Sequence, residues 1–497
     1  MLASVNSAVL EGVDGRVVTV EVHVSRGLPG YTVVGLPDAA GRESRERVRA
    51  ALLSSDLPYP MKRVTVNLAP ASVRKAGSGL ELAVALALTS ADDGLPAGVL
   101  DDVGVLGELG LDGTVRPVAG TLSLVAALAR AGAECVIVPV ANAAEAYLVP
   151  DVHVRVARTL GELHQCLKGE TPWPDPPDPP PVAATADADE PLDLLDVRGL
   201  ANARHALAAT AAGGHHLLLV GPPGVGKTML ARRLPTILPD LDLAAALEVT
   251  RIHSAAGTAT ISALHTRPPF RAPHHSASCV SLVGGGSPRV RPGEITLAHR
   301  GVLFLDEVPE FPVSVLEALR QPLEERAIRI SRASGTLEFP ADFLLVACAN
   351  PCPCGRIAKD CRCSDQQRTR YSRRLSAPLL DRFDLRLRIE TPGEDVGESS
   401  AQVRGRVERA LERQHARLAG TGWRRNAHIP AGALERLVPL SPDAHEAWID
   451  ACRLRRLTGR GAARIRRVAR TLADLDDRDT MTADDIVRAS WLREDVW

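Results

Sequence analysis

Apolar and polar residues alternate along RVVTVEVHV at 16–24, the period of two expected of a half-buried β-strand. LELAVALALTS at 80–90 and TLSLVAALARAG at 121–132 instead have helical length and spacing. Residues 1–170 therefore read as a mixed α+β domain. The stretch Thr171 to Pro181, TPWPDPPDPPP, packs seven prolines into eleven residues and runs on into VAATADADEP. Such a segment lacks backbone donors and apolar surface to bury, so 171–191 is expected to be an extended linker. Beyond it, Val197 to Ala212 reads as an Ala- and Leu-rich helix, followed by three short apolar strands: HHLLLV, GVLFLDE from Gly301 and FLLVACAN from Phe343. Strands alternating with helices predict a parallel sheet over 192–390, with nucleotide chemistry at the strand ends. From 391 to 497 the pattern is helical, through DVGESSAQVRGRVERALERQHARLA to a final Arg-rich helix. The fold class is α/β multidomain, without solenoid repeats.

Composition narrows what such a chain can do. At 497 residues, 59 Lys plus Arg stand against 60 Asp plus Glu, and aromatic residues make up only 3%. Recognition of nucleic acid by many stacked bases is disfavoured, so any grip on DNA must rest on backbone phosphates. No apolar run approaches the roughly 20 residues that cross a bilayer, and the N-terminus lacks the basic-then-apolar pattern of a leader. A cytoplasmic protein without a membrane partner is expected. Nine cysteines, an odd number, do not suggest a disulfide framework in that setting.

The sharpest motif is GPPGVGKT, comprising Gly221, Pro222, Pro223, Gly224, Val225, Gly226, Lys227 and Thr228, placed between a strand and a helix start. Glycines let backbone N–H groups wrap phosphate, Lys227 reaches the β and γ phosphates, and the Thr228 hydroxyl ligates Mg²⁺. Asp306 and Glu307 end the strand VLFL, where Asp306 can hold Mg²⁺ and Glu307 can activate water. Asn350 ends the next strand on the same predicted edge, ready to polarise that water. ATP, Mg²⁺ and hydrolysis follow.

Two further features carry chemistry. CPCGRIAKDCRC places Cys352, Cys354, Cys361 and Cys363 as two C-x-C pairs separated by six residues, a candidate structural Zn²⁺ site. Free thiols and a redox pair remain alternatives. Basic residues gather in three places: Arg271, Arg289, Arg291 and Arg300 against one acid, Glu294; a predicted hairpin over 328–339; and 453–470, with eight arginines and no acid. In that last segment Arg456, Arg460, Arg464 and Arg467 are spaced to share one helical face.

These motifs, together with PFRAPHHSAS from Pro269, ANPCPCG from Ala349 and RRLSAPLLDRFDL from Arg373, resemble the ComM (YifB) family of magnesium-chelatase-like AAA+ ATPases over nearly the whole chain. The resemblance implies an AAA+ core, a C-terminal helical lid, and a homo-oligomeric ring, a hexamer, with ATP bound between subunits. It also implies DNA as partner and branch migration in natural transformation or recombination. By the same resemblance Arg382 is an arginine finger and Arg460 a second γ-phosphate sensor, with Arg464 as its competitor, and the two basic insertions line a pore. The first domain is similar to the proteolytic domain of Lon, but Glu81 and Leu122 fall where its serine and lysine would stand. Ser78 with Lys75 is the only dyad left, so a non-proteolytic domain is expected. Rival functions are a metal-chelatase subunit, a non-motor ATP-dependent assembly factor and an ATP-dependent protease.

Overall fold

The computed structural model describes residues 1–497 except 36–37, 74, 76–78, 176–191, 258–260, 287–289, 333–334, 357–360, 390–392, 394 and 497. Most of the expected linker, together with Ser78 and Arg289, lies outside the described residues.

The first sheet has seven strands in the spatial order Gly30–Val34, Arg63–Ala69, Asp14–Ser25, Leu2–Glu11, Val103–Val105, Cys135–Pro139, His153–Ala157. Its antiparallel half is the Leu2–Glu11/Asp14–Ser25 hairpin plus Arg63–Ala69, and Val103–Val105, Cys135–Pro139 and His153–Ala157 add in parallel. The alternation read at 16–24 is realised: Val18, Val20, Val22 and Val24 point inward and are buried. They meet helix Glu81–Ala91, which is buried on nearly every side and therefore apolar all round. Helix Thr121–Arg130 lies close against the hairpin, where a Cβ on Gly15 would sit 2.2 Å from the Ser123 carbonyl oxygen.

The second sheet has five parallel strands in the order Phe270–Arg271, Val302–Leu305, Leu344–Ala349, Leu217–Val220, Leu385–Arg388. Every residue of Leu217–Val220 and Val302–Leu305 is buried, as expected when a parallel sheet is covered on both faces. Val220 pairs with Ala349, and Leu305 with Ala347, so the chain leaves these three strands along one edge.

The helical region contains Ser400–Leu418, Pro442–Leu454, Gly459–Leu475 and Ala483–Trp491. It is tied to helix Ala201–Gly213, through Gln414 donating to the Ala212 carbonyl, and to the start of strand Leu217–Val220 by a buried polar network. Arg417 donates to Asp474 and Asn426, Asn426 to Asp474 and Thr471, and His215 bonds Thr471 at 2.8 Å. Each of these residues finds at least one partner inside the network, which favours a single arrangement of the region.

Two expectations shift. The helix expected from Val197 starts at Ala201, because Asp193 caps a short 3₁₀ turn at Leu194–Asp196 and Gly199 turns away with φ 64° to bond Asp395. Arg456 does not share a face with the other arginines: it is left-handed at φ 47°, and the helix begins at Gly459, capped by Thr458.

The first domain sits directly on the domain built around the parallel sheet. Val13 joins the buried cluster of Phe311 and Phe339. Helix Leu243–Ala256 offers Arg251 to Asp14 and Ser123, and Ser254 to Glu145 and to the Gly120 amide. No helix among the described residues is long and apolar enough to cross a membrane.

Candidate nucleotide site

The loop leaving Leu217–Val220 needs its glycines for distinct reasons. Gly224 and Gly226 adopt φ of 81° and 93°, open to glycine at little cost, and a Cβ on Gly221 would lie 2.5 Å from the Ile389 carbonyl of the adjacent strand. Helix Lys227–Arg232 starts at the lysine itself, so its free N–H groups and positive dipole end face the loop. The Lys227 ammonium is buried and donates to the carbonyls of Gly221 at 2.6 Å and Pro222 at 2.8 Å, and to Asn350 Oδ1 at 3.2 Å. Burial lowers its pKa, opposed by the thiol of Cys348 and the carboxylates of Asp306 and Glu307.

Thr228 Oγ1 donates to Asp306 Oδ2 at 2.8 Å, and the Glu307 amide donates to Asp306 Oδ1 at 3.0 Å. Adjacent oxygen ligands on an octahedral Mg²⁺, with bonds of about 2.1 Å, stand about 3.0 Å apart. The hydroxyl and carboxylate are therefore already spaced to share one ion. Glu307 has φ 50°, an uncommon conformation for a residue with a Cβ, of the kind that concentrates at functional sites. Its carboxylate stays half exposed, 3.9 Å from His275 Nδ1. The sequence motifs assign no role to His275, whose ring lies tilted against His274 and meets Phe311 edge-on. Its signal was the HH just beyond the short strand Phe270–Arg271.

Arg382 and Arg460 are elsewhere. They line a cleft of about 770 Å³ with Glu324, Asp384, Arg464 and Arg467, bounded by residues that precede the core strands, His216, Gly301 and Phe343. Lys227, Thr228, Asp306, Glu307 and Asn350 follow the opposite strand ends. Strands of four to six residues separate the two groups by about 10–17 Å, beyond the reach of an arginine side chain. Arg382 pairs with Glu324 and donates to the Pro378 carbonyl at 3.4 Å. Arg464 binds Asp381 at 2.8 Å and Asp384 at 3.0 Å, whereas Arg460 is exposed and has no partner among the described residues. Burial alone would raise the Asp384 carboxyl, but His215, His216 and Arg464 together bring it below its ordinary range.

The four cysteines converge, with every pair of sulfurs within 4.8 Å, and all are free thiols. Much of the local basic charge, by contrast, is already engaged. Arg271 makes a two-point pair with Glu294, Arg300 bridges Glu248 and Asp342, and Arg329 lies between Glu325 and Glu338. The stretch GGGSPRVRPG, 284–293, read as a basic loop, follows a short helix, Cys279–Val283, and its two ends pair as strands Gly284–Gly285 and Arg291–Pro292. The expected hairpin forms as Ala327–Arg332/Gly335–Pro340. Arg291 and Arg332 have no partner among the described residues.

In the first domain, Glu81 is buried beside Arg47 at 2.8 Å, and burial pushes its carboxyl up to about 7. Leu122 is packed in the core, and Lys75 donates to the Pro70 carbonyl. Neither position offers a nucleophile.

Family models match almost the whole chain. Residues 193–396 match magnesium chelatase, subunit ChlI; residues 397–493 match its C-terminal region; residues 20–142 match subunit ChlI of Mg-chelatase. The chain is 42% identical over 484 residues to the competence protein ComM of Haemophilus influenzae, covering 95% of this chain and 94% of that one. It is 41% identical over 491 residues to the uncharacterized protein YifB of Escherichia coli, covering 97% and 95%. An uncharacterized protein of Mycobacterium tuberculosis is 46% identical over 497 residues, covering 98% of both chains.

Proposed function

The chain belongs to the ComM/YifB family of magnesium-chelatase-like ATPases, and from that premise we propose that it is a ring-forming, ATP-driven motor that moves branched DNA. The observation that carries this reading is the division of the phosphate-handling residues between opposite ends of one sheet. Each chain offers a phosphate loop at one end and a finger at the other, so a complete site needs two chains placed head to tail, the kind of contact that builds a ring when the rotation between neighbours closes. A hexamer is the ring size the family resemblance implies.

In that ring the Lys227 ammonium and the loop amides hold the β and γ phosphates. Thr228 and Asp306 would hold Mg²⁺, which would supply positive charge against the phosphate oxygens. Glu307 orients and deprotonates the attacking water, and His275 lies where it can hold the carboxylate between turnovers. Asn350 aligns water with the γ-phosphate, while Arg382 of one subunit, with Arg460 beside it, meets the charge developing at the next subunit's ATP. Arg464 is tied to two aspartates, so Arg460 is the better candidate for the lid sensor. The two hairpins bear Arg291 and Arg332, available to DNA phosphates without reading bases. The first domain, with no nucleophile at the Lon-like positions, acts as an assembly or DNA-contacting arm. A relative bearing the name competence protein ComM supports a role in the processing of incoming DNA.

The test uses purified full-length protein, ATP, Mg²⁺ and a fluorescently labelled mobile three-way junction, with Lys227→Ala and Glu307→Gln run in parallel. Wild type is expected to resolve the junction and to hydrolyse ATP faster when DNA is present, and both variants to fail. A wild-type protein that does neither refutes the motor reading.

A further inference from the structure

We propose that Cys352, Cys354, Cys361 and Cys363 hold a Zn²⁺ ion that fastens the segment after Asn350 onto the phosphate loop, so that metal occupancy positions Asn350 for hydrolysis. The site is independent of what the motor acts on and rests on the geometry of the thiols. Cys352 Sγ lies 3.3 Å from Cys354 Sγ and 3.5 Å from Cys361 Sγ, and Cys354 and Cys361 are 3.7 Å apart. A tetrahedral Zn²⁺ with bonds of about 2.3 Å spaces its sulfurs by about 3.8 Å, so a small expansion of this cluster accepts the ion. Four protein ligands leave no open position, which makes the ion structural rather than catalytic.

The placement of the cluster gives the ion its consequence. Asn350 and Cys352 are separated by one proline, at the end of strand Leu344–Ala349. Gly355, inside the first thiol pair's turn, has φ 71°, and a Cβ there would lie 3.0 Å from Pro223 of the phosphate loop and 3.9 Å from the Asn350 amide carbon. The turn thus touches the lip of the nucleotide site through the one residue type able to approach so closely. On its far side the segment ends at Ser364, which caps helix Asp365–Ser372 with a reciprocal Gln367 bond. The cluster lies between two fixed ends. Apolar packing cannot order a segment this polar, and four metal–sulfur bonds can. Asn350 is the residue the ion acts through, and the cysteines are positioning residues.

The experiment takes the full chain purified without added metal. Zinc measured by mass spectrometry is expected in a one-to-one ratio with the chain, and exchange with Co²⁺ should produce the thiolate-to-cobalt charge-transfer and tetrahedral d–d bands. Zinc far below that ratio, or a cobalt spectrum lacking those bands, overturns the site. Cys361→His should retain the metal and Cys361→Ser should weaken it. Equal zinc retention in both would also count against the site.

The positioning claim has its own readout. Loss of the hydrogen bond by which Asn350 aligns the attacking water lowers kcat by about 10-fold. Chelator-stripped protein and Gly355→Ala, which keeps all four thiols, should both show that fall with KM for ATP changed by less than about threefold. Adding Zn²⁺ should rescue the stripped protein but not Gly355→Ala. An unchanged kcat after stripping, with metal loss verified, overturns the link to Asn350 while leaving the motor reading untouched.

Discussion

Replacing Arg382 by alanine separates a finger donated between subunits from a surface ion pair. Its side chain is 10% exposed and its partner Glu324 is 53% exposed, so in the isolated chain the pair contributes at most about 1 kcal/mol, the range of partly solvated ion pairs. The expected loss of stability is correspondingly small, a few degrees in Tm. A finger that neutralises transition-state charge is worth about 10³- to 10⁵-fold in kcat, or about 4–7 kcal/mol. Near-normal thermal stability with ATP hydrolysis lowered by at least about 10³-fold is therefore expected. The decisive assay mixes Arg382→Ala with Lys227→Ala subunits in equal amounts, each inactive alone. Half of the ATP sites then sit on Arg382→Ala subunits, and half of those face a Lys227→Ala neighbour with an intact finger, so recovery should approach about a quarter of the wild-type rate. Hydrolysis is followed by phosphate release, and mixed rings are verified by native mass spectrometry. Mixed rings with no recovered activity would refute the shared site, because a finger acting within its own chain leaves every site in the mixture broken.

Other consequences follow from packing and charge. Asp474→Ala would leave the buried guanidinium of Arg470 and that of Arg417 without their carboxylate, and a loss of about 3–5 kcal/mol is expected in chemical denaturation. Gly301→Ala places a Cβ 2.0 Å from the Pro269 carbonyl; overpacking of about 1–3 kcal/mol should loosen the pairing of Phe270–Arg271 with Val302–Leu305, seen as a lower Tm together with reduced hydrolysis. The Glu248 carboxyl is lowered to about 2 by its hydrogen bond with His299 and by Arg300, so its stabilisation is complete above the unfolded carboxyl value near 4.5 and is lost as pH falls towards 2. Glu248→Gln should thus be less stable than wild type at pH 7, with the difference narrowing between about pH 5 and pH 3; a gap independent of pH would contradict this assignment.

The nucleotide edge was legible in the sequence because its signals are local and mutually constraining. GPPGVGKT demands a strand before it and a helix after it, both demands are met within a dozen residues, and parallel registry then delivers Asp306 and Asn350 to the same edge. The expected strands all form, since runs such as LLLV and VLFL have nowhere to go but a sheet covered on both faces. Less was legible where a choice depends on distant partners. The start of helix Ala201–Gly213 is decided by Asp193 and Asp395, the latter almost two hundred residues away, and the placement of Gly355 on Pro223 has no local signature beyond a glycine in a Cys-rich turn. His275 approaches Glu307 only because two neighbouring strands of the sheet end side by side.

Charge is where reading along the chain misleads most, and the reason is geometric. Counting acids within each basic segment made 268–300 look unopposed but for Glu294, yet Arg300 is neutralised by Glu248 on the preceding helix and by Asp342 before the next strand. The segment 453–470 holds no acid at all, and still Arg464 meets Asp381 and Asp384, Arg470 meets Asp474, and Arg466 spends its donor on the Val438 carbonyl. Among the arginines of those stretches and of the Ala327–Arg332/Gly335–Pro340 hairpin, the side chains of Arg291, Arg332, Arg453, Arg456, Arg460 and Arg467 make no hydrogen bond or ion pair among the described residues. Free charge is a tertiary property: an arginine becomes available to phosphate only when folding brings no carboxylate to it. The near-neutral balance of the whole chain is therefore compatible with the proposed motor, because a ring would repeat each free arginine once per subunit and would need no strongly basic surface to hold DNA at many equivalent points.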